Sequence, residues 1–117
     1  MKHVVEALKD ELLEVRKEAI WVLGHIVQSG AAAQVLSVVE LGAIDALCRI
    51  LDKNDPEILS VALWATHDIL KFGVDNGKDY TSNVYLERIK ELQKHDDEDV
   101  KNPAVEIVET YFSNGNV

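Results

Sequence analysis

Apolar residues return every three or four positions along most of the chain, the period of amphipathic helices rather than strands. One stretch organises the pattern. Glu14-Val-Arg-Lys-Glu-Ala-Ile-Trp21-Val-Leu-Gly-His25-Ile-Val comes back as Glu57-Ile-Leu-Ser-Val-Ala-Leu-Trp64-Ala-Thr-His-Asp68-Ile-Leu, with the two tryptophans 43 residues apart. A fainter third copy, Asp99-Val-Lys-Asn-Pro-Ala-Val-Glu106-Ile-Val-Glu-Thr110-Tyr-Phe, follows 42 residues further on. Self-similarity at this period marks a stack of helical units, each burying its apolar face against the next.

The pattern predicts an opening helix over 1–12, with Val4, Val5, Leu8 and Leu12 on one face. A helix over 14–27 follows, burying Ala19, Leu23, Ile26 and Val27, and Ser29-Gly30 ends it. A short helix over 31–41 leads to a sharp turn at Gly42. The next helix, 43–51, turns Ile44, Leu47, Ile50 and Leu51 inward. Asp55 suits an N-cap and Pro56 a first helical residue, so a long helix is expected from Pro56 to about Phe72, stopping at Gly73. Residues 74–79 read as a flexible linker, and 84–94 as a helix on the spacing of Leu86, Ile89 and Leu92. The last helix is expected to start near Asp97 and to run through Pro103 to about Phe112, because the repeat places Val100 beside Val15 and Ile58.

Only two prolines and six glycines interrupt 117 residues, which is an all-α composition for one modest core. The formal net charge of −9 disfavours nucleic acid, whose phosphates need clustered Lys and Arg, and suits a basic protein or peptide. Solubility alone is the plainer reading of that charge. The single cysteine, Cys48, rules out an internal disulfide and fits a reducing compartment. No apolar run reaches membrane-spanning length.

Gly42-Ala-Ile-Asp-Ala-Leu-Cys-Arg-Ile-Leu51, a loop, then Pro56-Glu-Ile and Ala62-Leu-Trp64 resemble an armadillo repeat. Arg16 to Trp21, Ala62 to Gly73, Tyr85 to His95 and Val105 to Phe112, in that order and spacing, resemble the last three armadillo repeats of the importin-α family. The resemblance implies a right-handed superhelix of about two and a half repeats. The units would be a truncated repeat over 1–30, a complete one over 31–73 and a C-terminal one over 79–117. It implies a nuclear-import adaptor, cytoplasmic and nuclear, that binds basic nuclear localisation signals, with transport receptors as further partners. In that family tryptophans on the third helices form slots for lysine and arginine stems. An asparagine one turn later bonds the cargo backbone, and nearby acidic residues hold the cationic ends. Carried over, the peptide-binding residues are Glu18, Trp21, His25, Trp64 and Asp68. His25 and Asp68 stand where asparagines belong, and neither reproduces an amide that both donates and accepts.

From the residues alone, Trp21 and Trp64 are two aromatic platforms, each worth ~0.5–2 kcal/mol against a cation. The competing reading is a core position, but Ala19, Leu23, Ile26 and Val27 already supply the buried face near Trp21. Glu18, three residues before Trp21, has no basic residue three or four positions away and is free to meet a partner. His25 and His67 lie at non-equivalent repeat positions, Cys48 has apolar neighbours, and Asp96-Asp-Glu-Asp99 lacks a calcium-loop pattern. No cofactor, metal or enzyme activity is expected. Two functions remain: a peptide-binding module, or an excised or engineered repeat block with a structural role. A truncated first unit exposing Val4, Val5 and Leu8 would self-associate into a homo-oligomer.

Overall fold

The computed structural model describes residues 6, 13–29, 32–51, 55–78, 80 and 86–112. Those residues contain six helices and no strand, the all-α architecture of stacked armadillo repeats. They are α1 (Leu13–Ser29), α2 (Ala32–Glu40), α3 (Ala43–Ile50), α4 (Pro56–Asp75), α5 (Leu86–Leu92) and α6 (Glu98–Tyr111). The opening helix expected over 1–12, with the apolar face proposed for self-association, lies outside the described residues.

The three copies of the repeated stretch become α1, α4 and α6, and α4 packs against both of the others. Leu23, Ile58, Leu63, Ile69, Val100 and Ile107 are fully buried between them, and Leu47, Leu51 and Ile89 extend the same core under α3 and α5. Gly42 turns the chain from α2 into α3 with φ 97°, a left-handed conformation that a side chain would strain. Asp55 caps α4 by accepting from the Glu57 amide at 3.0 Å and the Ile58 amide at 3.4 Å, and Pro56 opens the helix. α6 is capped by Asp97, which accepts from the Asp99 amide at 2.9 Å, and it continues through buried Pro103.

Polar ties fix the angles between units. On α1, Lys17 Nζ reaches Asp55 at 3.7 Å and Glu57 at 3.5 Å across the start of α4. On α5, Arg88 Nε donates to the Leu51 carbonyl at 2.7 Å, meeting one of the end-of-helix carbonyls that α3 cannot satisfy itself.

Two expectations fail at the end of α4. The helix does not stop at Gly73; it runs to Asp75. The glycine serves close approach instead of a left-handed turn: a β-carbon there would lie 2.8 Å from both the Lys78 carbonyl oxygen and Tyr80 Cδ2. Residues 76–78 are not a flexible linker either. They form a Schellman cap, with Gly77 at φ 72°, the Lys78 amide donating to the Gly73 carbonyl at 2.7 Å and the Gly77 amide to Val74 at 3.4 Å. The Asn76 side chain also donates to the Phe72 carbonyl at 2.8 Å. In α1, the core includes Ile20, buried at 2%, which the single-face period left out, while Ile26 packs only partly buried against it.

Candidate functional site

Trp21 on α1 and Trp64 on α4 are 57% and 42% exposed, so neither is a core residue. They stand at equivalent repeat positions on two helices packed side by side. Their indoles therefore flank the same seam. A cleft of about 250 Å³ opens there, lined by Trp21, His25, Trp64 and Asp68 together with Ile20, Gly24, Gln28, Val61 and Ala65. Gly24 faces open space there: a β-carbon at that position would meet nothing within 4 Å. Four of the five residues singled out in the sequence are thus brought together. Glu18 is exposed on α1 and does not line the cleft.

Helical spacing explains the lining. His25 and Gln28 follow Trp21 by four and seven positions, and Asp68 and Lys71 follow Trp64 by the same steps. Trp21, His25 and Gln28 line the cleft from α1 and Trp64 and Asp68 from α4, while Lys71 lies beyond it. Gln28 was not anticipated, although its i+7 spacing from Trp21 marks it. Gln28 and Asp68 also border a second hollow further along the seam, with Val27, Lys71, Phe72, Asp75 and Asn76.

Beside the cleft, His67 links α4 to α6. The His67 ring meets the Trp64 ring edge-on at 5.4 Å and the Tyr111 ring edge-on at 5.7 Å. Its Nδ1 lies 3.4 Å from Asp68 Oδ1 and its Nε2 lies 3.9 Å from Glu106 Oε1. Thr110 Oγ1 in turn donates to Glu106 at 3.4 Å. The third copy of the repeat therefore spends its polar pair on internal contacts. Burial raises the Tyr111 phenol above its ordinary value, and the carboxylates of Asp75, Asp68 and Glu106 add to the rise. Among the described residues no group of three potential metal ligands comes together, and Cys48 is buried.

Long repeated helices side by side, with an aromatic cleft on the seam, define a helical solenoid. The Armadillo/beta-catenin-like repeat pattern matches residues 32–69, and the atypical Arm repeat pattern matches 86–116. The chain belongs to the armadillo-repeat family. Within it, the chain is similar to importin-α subunits. Importin subunit alpha-3 of Caenorhabditis elegans is 34% identical over 89 residues, covering 73% of this chain and 17% of that protein. Importin subunit alpha-5 of Arabidopsis thaliana is 33% identical over 107 residues, covering 84% and 21%. Importin subunit alpha-2 of Arabidopsis thaliana is 35% identical over 95 residues, covering 71% and 18%. The chain spans about a fifth of the length of these relatives.

Proposed function

We propose that the chain is a protein-binding module whose α1–α4 cleft receives a basic segment of a partner, in the manner expected of the cargo-binding repeats of a nuclear-import adaptor. The supporting observation is the cleft itself: two exposed indoles, an acidic residue in its lining and no lysine or arginine among its lining residues. The net charge of −9 acts in the same direction by drawing a cationic partner toward the surface. The cleft holds no nucleophile with a base beside it, and binding rather than catalysis is the role proposed. On this reading the chain works in the cytoplasm and nucleus, with residues 1–30, 31–73 and 79–117 as its three units. Glu18, one turn above the cleft, is a contact for a partner that extends beyond it.

The test is a fluorescence titration with a lysine-rich peptide. Binding changes the emission of Trp21 or Trp64, and Trp21→Ala removes the binding. A folded chain whose emission is blue-shifted and unmoved by any basic peptide would refute the proposal.

A further inference from the structure

We infer that α6, which supplies no lining residue to the cleft, sets the orientation of Trp64 through His67, a positioning residue that touches both helices' rings. This role goes beyond the proposed function and stands whatever the cleft receives.

Trp64 has little of its own to hold it. It is 42% exposed, and an exposed side chain moves among its staggered rotamers unless a neighbour fixes it. Among the described residues one ring meets the indole: His67, three positions on along α4, edge-on at 5.4 Å. The orientation of Trp64 therefore depends on what holds His67.

His67 is held from α6. Its side chain is only 15% exposed, and α4 and α6 pack directly against each other. From α6 the Tyr111 ring meets it edge-on at 5.7 Å, and Glu106 Oε1 stands 3.9 Å from its Nε2. Thr110 donates to Glu106 at 3.4 Å, and Tyr111 is itself packed against the core. On α4 the Asp68 contact to Nδ1 is long, at 3.4 Å, and fixes the imidazole poorly by itself. The imidazole lies in contact with the indole and the phenol at once, and turning it gives up one of them. Tyr111, His67 and Trp64 thus form a contiguous series of packed rings from α6 to the wall of the cleft. The third copy of the repeat carries Glu106 where the others carry tryptophan, and it shapes the cleft through this series instead.

The experiment uses the full chain carrying Trp21→Phe, which leaves Trp64 as its one tryptophan. Acrylamide quenching, corrected for the emission lifetime, and steady-state anisotropy report the freedom of its indole. His67→Ala is expected to raise the quenching rate constant by up to about twofold, since the residue is 42% exposed at the start, and to lower the anisotropy. Tyr111→Leu, which keeps bulk but removes the ring, is expected to act in the same direction although Tyr111 does not touch the indole. Tyr111→Phe, which keeps the ring, is expected to leave Trp64 as it was. The double variant His67→Ala with Tyr111→Leu is expected to match His67→Ala alone, because both act along one series. Circular dichroism and the thermal midpoint establish that each variant is folded. A folded Tyr111→Leu chain with unchanged quenching and anisotropy overturns the inference, as do effects of the two substitutions that simply add. Neither readout involves a peptide, so failure of the proposed function in its own titration leaves this result intact.

Discussion

The Tyr80 ring lies across Gly73, so near that a β-carbon on the glycine would fall 2.8 Å from Tyr80 Cδ2 and 2.8 Å from the Lys78 carbonyl oxygen. Real β-carbons do not approach that closely. Gly73→Ala must therefore push the returning chain off α4 and disturb the Lys78-to-Gly73 hydrogen bond of 2.7 Å. A loss of ~1–3 kcal/mol is expected, the usual range for overpacking. Urea denaturation checks it, and an unchanged midpoint would mean that Tyr80 does not hold this position in solution.

Gly24 is also helical, yet its substitution should act in the opposite direction. A β-carbon there meets nothing within 4 Å, so alanine is accommodated and the unfolded chain loses freedom. Gly24→Ala should stabilise the fold by about 0.4–1 kcal/mol. Because Gly24 lines the cleft, the added methyl narrows it, and affinity for a lysine-rich peptide should fall as stability rises. Thermal unfolding and peptide titration on the same sample separate the two effects. A rise in both would place the bound segment elsewhere.

Asp55 combines two contacts that can be divided by mutation. One carboxylate oxygen caps α4, and the other lies 3.7 Å from Lys17 Nζ on α1. Asp55→Ala should cost ~1–2 kcal/mol through the lost cap. Asp55→Asn keeps the capping oxygen and removes the charge, so it should recover all but a few tenths of a kcal/mol, the usual worth of a partly exposed ion pair. Denaturation curves of both variants decide the matter. Equal losses would assign the stabilisation to the ion pair.

Much of this was readable from the sequence because the repeat makes its own alignment. The helix starts at Asp55-Pro56 and Asp97, and the passage of α6 through Pro103, follow from residue type and register. Gly73 was misread because glycine serves two ends, a left-handed turn and close approach, and only the second depends on where Tyr80 returns. Ile20 was missed for a related reason. α1 contacts both α2 and α4, so it buries a wider arc than one apolar stripe describes. In the cleft, the exposure of Trp21 and Trp64 agrees with a position at the edge of the apolar face, and His25 and Asp68, singled out by the importin-α resemblance, line the same cleft one turn on. Spacing could not show that Glu18 lies outside the cleft, since being one turn from Trp21 fixes direction along α1 but not distance from α4.

The phenol of Tyr111 offers a test at alkaline pH of the negative charge gathered between α4 and α6. Burial, then Asp75, Asp68 and Glu106, hold its pKa above the ordinary 10.0. The folded chain therefore binds that proton more tightly than the unfolded chain does. The resulting stabilisation is fully present below pH 10.0, the unfolded value, and is lost as pH rises through the raised folded value. Tyr111→Phe keeps the ring against His67 and removes the ionisation. Its stability relative to the wild type should thus be flat from pH 7 to 9 and should improve steadily above pH 10.0. Urea denaturation at stepped pH measures this difference directly. Curves for the two proteins that stay parallel across the alkaline range would show that the phenol is neither buried nor close to the three carboxylates.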